Sequence, residues 1–386
     1  MRPHRKRALR LPLAAATTLI GTELLLRTLA PLPAAVSVKI RDQTLPGLHP
    51  TVVYERNAWG LRSLSMRSER KPEGTVRILA LGASTTDSPT QNAADTWWGV
   101  LEARLRERLP PAAGLEVAAY GRGGAPAVHR LAWARRHLDR LDPDVVITLE
   151  GINDLAWHGG PGYRYAGLED ALRRVPEEEP TRSCSRWSEL CRRVAVLRRS
   201  LRAARRAREG RTLEWHSRNL PRLTRAYRAL PAVAQPDRPV DPIREFGDAM
   251  EALLVELEAR GIETVVLGQP VLWKPHMRAE ERRRLWFGIR TPAGPVRPEP
   301  AWLAAEMARY NRLQRELAGR HGARYVDLPA RIPADLGHFI DDCHFTDAGS
   351  RAVADAILPE TLAAVRSALA RRGTRVAARP DRAPGD

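Results

Sequence analysis

Short apolar runs alternate with longer stretches of helical spacing along most of this chain. The apolar runs lie at residues 77–81, 115–119, 144–149, 263–268 and 323–328. Apolar residues recur at helical spacing over residues 97–109, 127–141, 246–260, 301–320 and 348–371. Short apolar, β-branched runs are typical of strands that are buried on both faces. The alternation therefore predicts an α/β domain over residues 75–372, in which helices cover both faces of a five-stranded parallel sheet.

Two segments interrupt this alternation, and we interpret both as insertions into the domain. The first, at residues 158–242, is rich in Gly, Pro and Arg and contains one helical apolar stripe from Leu190 to Ala204. Its arginines are most simply a solvated face, although on a tethered protein they could also contact anionic lipid. The second insertion, at residues 271–300, carries three large aromatic side chains, Trp273, Trp286 and Phe287. These aromatic side chains either line an acyl or sugar pocket or form local core.

The N-terminus carries a basic cluster directly before an apolar stretch. Residues 1–10 hold five Arg and Lys side chains, and charge interrupts residues 11–36 only at Glu23 and Arg27, which can pair on a helix. This order is typical of an export signal whose basic end stays in the cytoplasm. We predict an uncleaved transmembrane signal anchor at residues 11–36, with a cleaved signal peptide and a buried amphipathic helix as alternatives. A linker follows at residues 37–74, and residues 373–386 are predicted to be a disordered tail.

Cysteine usage and charge add two constraints on compartment and partners. The predicted anchor places the domain outside the cytoplasm, in the periplasm or at the cell surface, where Cys184 and Cys191 could pair; two unpaired thiols fit equally well. The net charge of +18 would suit a nucleic-acid partner, but only four of the 63 basic residues are lysine. Such an arginine bias is typical of GC-rich codon usage. Because the sequence offers neither aromatic stacking platforms nor a recognition helix, we expect no nucleic-acid partner.

Polar motifs follow the predicted strands at positions where active sites form. Ser84 comes directly after the first strand, in Gly82-Ala83-Ser84-Thr85, and precedes helix-start residues. Gly121 follows the second strand, and Asn153 follows the third, in Gly151-Ile152-Asn153-Asp154. Asp341 and His344 lie three residues apart before the last helix. Because the carboxyl ends of parallel strands meet at one edge of a sheet, we expect these side chains to converge there.

Each of these residue types fits one step of acyl transfer through a serine ester. Ser84 supplies a nucleophile, His344 can take its proton, and Asp341 can orient His344. The N–H groups of Ser84 and Gly121 and the amide of Asn153 can hold an oxyanion. Taken singly, the motifs are also explained by an N-cap serine, a glycine turn, an Asn-Asp turn and a chance Asp-x-x-His. Rival bases and a rival carboxylate are present at His129, His158, His338 and Asp342.

In this order, the motifs resemble the blocks of the SGNH (GDSL-type) hydrolase superfamily, which carry Ser, Gly, Asn and His. Ser84 matches the nucleophile of the first block, Gly121 the glycine of the second and Asn153 the asparagine of the third. Asp341 and His344 match the Asp-x-x-His of the last block. The resemblance covers about residues 75–370 outside the two insertions.

Other positions add to this resemblance or depart from it. Ala83 stands where the family usually has an acidic residue, and Ala119 stands where many relatives have Asn. Three short segments outside the blocks are similar to the membrane-anchored branch of the superfamily: residues 23–27, residues 57–62 and Tyr310-Asn311.

The resemblance implies a flavodoxin-like three-layer sandwich, the SGNH hydrolase fold, with the oxyanion held by Ser84, Gly121 and Asn153. It implies a serine esterase that acts through an acyl-enzyme on an ester-bearing small molecule, glycan or lipid, such as the O-acyl groups of envelope glycans or lipids. We expect no cofactor and no metal, because the sequence lacks H-E-x-x-H and paired Cys or His spacings. Two alternatives remain: an O-acyltransferase that acts on envelope polysaccharide, and a non-catalytic envelope scaffold on the same fold.

Overall fold

The computed structural model of this chain describes residues 17–25, 36–40, 45–57, 59–110, 114–157, 190, 215–238 and 241–377. These residues belong to two compact units. The larger unit takes its described residues from positions 39–54, 61–176 and 213–386, and the smaller unit takes them from positions 1–38, 55–60 and 177–212. Every residue of the predicted site lies in the larger unit.

A six-stranded sheet forms the centre of the larger unit. The described strands, in chain order, are β1 (Val36–Ile40), β2 (Val52–Arg56), β3 (Arg62–Ser63), β4 (Thr75–Gly82), β5 (Gly114–Gly121), β6 (Val145–Leu149), β7 (Ala232–Val233), β8 (Glu263–Leu267), β9 (Ile289–Thr291), β10 (Gly294–Pro298) and β11 (Arg324–Val326). The central sheet has the order β11-β8-β6-β4-β5-β3. Five of its strands run parallel, whereas β3 pairs antiparallel with β5.

The five predicted strands are present, but the sheet is mixed and has six strands rather than five. The additional strand, β3, contains only two residues and lies at the edge of the sheet. A strand of this length has no periodicity that a sequence pattern could reveal. The long central strands are easier to predict because every residue of β4 and of β6 is buried, and most of these residues are apolar.

Helices pack on both sides of this sheet, as the sequence predicts. The described helices of the larger unit are α1 (Ser84–Asp87), α2 (Trp97–Arg108), α3 (Val128–Leu141), α4 (Ile152–Trp157), α5 (Trp215–Arg228), α6 (Ile243–Ala259), α7 (Ala279–Arg282), α8 (Pro300–Arg320) and α9 (Asp347–Ala377). Helices α2 and α9 pack against each other, while α6 packs against both α3 and α8. These two groups of helices cover opposite faces of the sheet and give three layers.

The second insertion and the C-terminus contain more regular structure than the sequence predicts. Residues 271–300 hold the short helix α7 and the antiparallel pair of β9 and β10, and β10 also pairs with β7. Helix α9 extends to Ala377, into the segment predicted as a disordered tail. The helix predicted from Leu190 to Ala204 lies outside the described residues except for position 190, and so does the Cys184–Cys191 pair.

Only part of the predicted anchor at residues 11–36 is described. Residues 17–25 are helical, and four of their apolar side chains, Leu19, Ile20, Leu24 and Leu25, are more than half exposed. Strand β1 begins at Val36. Among the described residues, none of the helices combines the length and the apolar character that crossing a membrane requires.

Candidate active site

Ser84 is the first residue of α1, just beyond the carboxyl end of β4. The turn before it is tight, since a Cβ on Gly82 would lie 2.0 Å from Thr86 Oγ1. Two consecutive indoles, Trp97 and Trp98, donate to main-chain carbonyls of α1 at 3.1 and 3.0 Å. Ser84 itself is partly exposed, so the packed turn presents its hydroxyl at the edge of the sheet.

Arg62, in the edge strand β3, holds the other end of α1. Its buried guanidinium donates to the main-chain carbonyls of Asp87, Ser88 and Gln91, the last two at 2.8 Å. Carbonyls at a helix end lack partners within the helix, and one guanidinium can satisfy several of them. The sequence gives no sign of this contact, because a basic residue in a polar segment has the pattern of an exposed one. Strand β3, through Arg62, therefore fixes the position of the short helix α1, which carries Ser84.

His344 lies between Ser84 and Asp341. Its Nε2 is 2.8 Å from Ser84 Oγ, and its Nδ1 is 2.9 Å from both carboxylate oxygens of Asp341. Asp341 is fully buried, and its Oδ1 also accepts the main-chain N–H groups of Cys343 at 3.1 Å and of His344 at 2.9 Å. The loop thus folds around the Asp341 carboxylate, which holds the imidazole with Nε2 toward the serine.

Two opposing effects set the pKa of His344. Burial favours the neutral ring and lowers the pKa, whereas the charge of Asp341 and its hydrogen bond favour the imidazolium. The net result is a pKa well above the ordinary value of 6.5. His344 is therefore a strong base toward the hydroxyl of Ser84, and its neutral form increases as the pH rises.

Asp342, the rival carboxylate, is bound by two tryptophans. Trp273 Nε1 donates to its Oδ1 at 2.7 Å, and the main-chain N–H of Trp286 donates to its Oδ2 at 2.8 Å. Burial, and then the charge of Asp341, raises the pKa of Asp342 to about 7. The structure brings Asp341, rather than Asp342, to the imidazole.

The rival histidines lie in other surroundings. His338 forms its own pair with Asp335, with 2.8 Å between Nδ1 and Oδ1, in a second Asp-x-x-His segment. Burial lowers the pKa of His129 to about 4, with Arg130 and Arg122 acting in the same direction. Within the part of the chain that the structure describes, His344 is the histidine that contacts Ser84. His158 lies outside it.

Asn153 lies in the first turn of α4, two residues after Gly151. Its side-chain amide donates one hydrogen to the Ala125 carbonyl at 3.1 Å, which leaves the second hydrogen for a ligand. The same carbonyl accepts from Arg130, whose guanidinium forms two bonds of 2.6 and 2.7 Å with the buried carboxylate of Glu150. This ion pair ties the loop after β5 to the loop that carries Asn153.

Asp154, the last residue of the Gly-Ile-Asn-Asp motif, adds a second tie between these loops. Its Oδ1 accepts the main-chain N–H of Ala127 at 3.0 Å. Burial, and then the charge of Glu150, raises the pKa of Asp154 to about 7. Arg130 and Glu150 belong to none of the sequence motifs, so the sequence analysis missed the network that positions Asn153.

Gly121, the predicted oxyanion donor, packs against the backbone of α1. A Cβ at this position would lie 2.3 Å from the main-chain N of Asp87 and 2.6 Å from its Cα. Gly123 also lies beside the nucleophile, since a Cβ built on it would be 3.7 Å from Ser84 Cβ. Gly123 is exposed, and its N–H donates to no other described residue. The geometry therefore adds Gly123 as a second candidate donor, which the sequence analysis missed.

Substitution of Gly121 and of Gly123 is expected to affect stability differently. Gly121→Ala forces a methyl group into the backbone of Asp87 and should lower the free energy of unfolding by about 1–3 kcal/mol. Gly123→Ala meets only an ordinary contact and should leave stability near wild type or slightly higher. Urea denaturation of both variants measures the difference. Equal stability of the two variants would contradict the close packing of Gly121.

One group of potential metal ligands occurs among the described residues, namely Asp341, Cys343 and His344, with ligand atoms within 4.8 Å of one another. Cys343 Sγ lies 3.7 Å from His344 Nδ1. Burial raises the pKa of the Cys343 thiol, which favours its protonated form, whereas metals bind the thiolate. The hydrogen bonds of His344 to Asp341 and to Ser84 account for the proximity of the imidazole and the carboxylate.

The profile of the GDSL-like lipase/acylhydrolase family matches residues 80–231 of this chain. That segment contains Ser84, Gly121 and Asn153, and it ends before Asp341 and His344, which the fold brings to the same place. No curated protein matches the chain. The family match supports an ester-hydrolysing enzyme, as the sequence predicts.

Several solved structures are similar to this chain at low identity. The acetyl xylan esterase AlAXEase is 13% identical with a TM-score of 0.39, over 74% of this chain and 99% of that protein. LAE5, an alpha/beta hydrolase from the metagenome of Lake Arreo in Spain, is 18% identical with a TM-score of 0.38, over 75% of this chain and 94% of that protein. Axe2, an acetylxylan esterase from Geobacillus stearothermophilus, is 13% identical with a TM-score of 0.39, over 74% of this chain and 93% of that protein.

Proposed function

We propose that this chain is a serine esterase of the SGNH type that cleaves an ester through an acyl-enzyme. The observation that carries the proposal is the hydrogen-bonded line from Ser84 Oγ to His344 Nε2, at 2.8 Å, and from His344 Nδ1 to Asp341, at 2.9 Å. This arrangement activates a serine hydroxyl as a nucleophile. The family match, which includes the segment around Ser84, supports the same chemistry.

The reaction proceeds in two halves. Ser84 Oγ attacks the ester carbonyl carbon while His344 Nε2 takes the hydroxyl proton, and the carbonyl oxygen becomes an oxyanion. Collapse of this intermediate breaks the bond to the alcohol oxygen, which receives the proton from His344. Water then attacks the acyl group on Ser84, passes a proton to His344, and the acid leaves as Ser84 recovers its hydrogen. Asp341 stays ionised and stabilises the imidazolium in both halves.

Three groups are proposed to hold the oxyanion. They are the N–H of Ser84 at the start of α1, the second amide hydrogen of Asn153, and a glycine N–H from the loop after β5. For the glycine, Gly121 matches the family pattern and Gly123 lies beside Ser84. Donors that are already oriented before the reaction stabilise the oxyanion without having to reorganise.

Asn153→Ala is expected to lower kcat by about 10²-fold with little change in KM, because the amide acts mainly on charge that develops in the transition state. Steady-state hydrolysis of p-nitrophenyl acetate measures both constants. The melting temperature of the variant is recorded beside them, since the substitution also removes the bond to Ala125. Unchanged kcat in a folded variant would remove Asn153 from the proposed oxyanion site.

The cellular place and the natural substrate of the enzyme are also part of the proposal. The basic cluster at residues 1–10, followed by the apolar stretch at 11–36, supports a membrane-anchored enzyme whose domain lies outside the cytoplasm. An enzyme in that place would meet the O-acyl groups of envelope glycans or lipids. Digestion of the domain by protease added to intact spheroplasts supports this location, and protection of the domain until the cells are lysed contradicts it.

Fluorophosphonate labelling of the purified full chain tests the activity. Mass spectrometry locates the modified peptide, and hydrolysis of p-nitrophenyl acetate is followed in parallel. Ser88→Ala is the matched control, because Ser88 lies four residues after the proposed nucleophile. Its hydroxyl donates to the Thr85 carbonyl. Label on Ser84 together with hydrolysis is the expected result. Label with little hydrolysis would favour acyl transfer to a glycan acceptor, and no label on folded protein would favour a non-catalytic scaffold.

A further inference from the structure

Trp286 binds both carboxylates of the Asp341-Asp342 pair. Its indole Nε1 donates to Asp341 Oδ2 at 3.0 Å, and its main-chain N–H donates to Asp342 Oδ2 at 2.8 Å. The indole ring is nearly parallel to the imidazole of His344, with 11° between the planes and 6.3 Å between the centroids. Trp286 lies between α7 and β9, so these contacts come from the second insertion and not from any of the four sequence motifs.

The Asp341 carboxylate is held from both of its oxygens. Main-chain N–H groups of Cys343 and His344 donate to Oδ1, and the indole of Trp286 donates to Oδ2. His344 Nδ1 lies 2.9 Å from both oxygens, so the indole is a further donor on Oδ2 that opposes rotation of the carboxylate about its Cβ–Cγ bond. Hydrogen bonds to the ionised form also offset part of the cost of burying its charge. The indole donor therefore affects both the orientation and the ionisation of the group that faces His344.

We propose that Trp286 is a positioning residue for the esterase reaction, which holds Asp341 in line with His344 and makes the second insertion part of the active site. The inference rests on the proposed function. This role differs from the one that the sequence suggests for Trp286, which is to line an acyl or sugar pocket. Among the described residues, His344, Asp342 and Cys343 are titratable groups that interact electrostatically with Asp341. Burial, and then the charge of Asp341, raises the pKa of Asp342 to about 7, so Asp342 is partly protonated at neutral pH.

Trp286→Phe removes the indole donor but keeps an aromatic ring and the main-chain bond to Asp342. Loss of one hydrogen bond to a charged group is expected to lower kcat for p-nitrophenyl acetate about tenfold, with KM near the wild-type value. Trp273→Phe is the matched control, because it removes an indole donor from Asp342 and leaves the bonds of Asp341 intact. Both variants lose an indole hydrogen bond to a buried carboxylate, so both lower the melting temperature, but only Trp286→Phe is expected to lower kcat in folded protein.

A double-mutant cycle with Asp341→Asn separates positioning from packing. If Trp286 acts through the carboxylate, Trp286→Phe should lower kcat about tenfold in the wild-type background. In the Asp341→Asn background, the same substitution should leave kcat nearly unchanged. An equal loss in both backgrounds overturns the proposal, and so does a raised KM with unchanged kcat. Failure of the proposed function would be seen separately, as wild-type protein that neither hydrolyses ester nor labels at Ser84. Active wild-type enzyme with an equally active Trp286→Phe variant would refute the positioning role alone.

Discussion

Replacing Ser84 with alanine is expected to lower kcat for ester hydrolysis by about 10⁴-fold or more while the protein stays folded. The hydroxyl oxygen forms the bond to the acyl carbon, so no other group in the site can replace it in the acyl-enzyme. What remains is the much smaller contribution of the oxyanion donors and of substrate binding, acting on direct attack by water. Initial rates with p-nitrophenyl acetate measure the loss, and near-UV circular dichroism and the melting temperature report the fold.

Stability should change little in this variant, because Ser84 is partly exposed and its hydroxyl bonds only to His344 Nε2 among the described residues. Ser88→Ala provides the control for a hydroxyl removed from the same loop, and it should retain both activity and labelling. Hydrolysis by Ser84→Ala within tenfold of wild type would rule out the serine mechanism. Hydrolysis that stayed in the variant while fluorophosphonate labelled another serine would move the nucleophile to that residue.

The parts of the fold that could be predicted are those whose side chains follow a period. The strands β4, β5, β6, β8 and β11 follow apolar runs, and their flanking helices follow a helical pattern, so each was found close to its observed position. The two-residue strand β3 has no period, yet its Arg62 holds the helix that carries Ser84. A contact between residues distant in sequence, made by one side chain to main-chain carbonyls, leaves no mark on local pattern.

The site residues, too, fall into those that the sequence could predict and those that it could not. Ser84, Asp341 and His344 were identified because each has a chemistry that few residue types share, and because their order along the chain matches a known family. Trp286 and Arg130 act by holding other residues, and many residue types at many positions can do that. Gly123 illustrates the limit for main-chain donors, since an N–H group is present at nearly every position and only the fold decides which one approaches Ser84.

Asp341→Asn is expected to lower kcat by about 10³- to 10⁴-fold, because an amide at this position can donate to His344 Nδ1 and favour the tautomer that carries its hydrogen on Nε2. An Nε2 that already holds a hydrogen cannot accept one from Ser84. The variant should also shift the pH dependence of the residual activity. The reaction needs neutral His344, so wild-type activity rises as the pH increases through the pKa of this histidine, which lies well above 6.5. Without the charge of Asp341, the lowering effect of burial prevails and the rise moves to lower pH.

Profiles of kcat/KM between about pH 4 and pH 10 test both parts, since they report the ionisations of the free enzyme. Asp335→Asn is the matched control, because it changes the same residue type in the second Asp-x-x-His segment, whose histidine, His338, does not contact Ser84 in the described structure. That control should keep both the rate and the position of the rise. A rate loss in Asp341→Asn with the rise at its wild-type pH would mean that Asp341 orients His344 without setting its pKa. Loss of activity in Asp335→Asn equal to that in Asp341→Asn would mean that the wrong Asp-x-x-His pair has been assigned to Ser84.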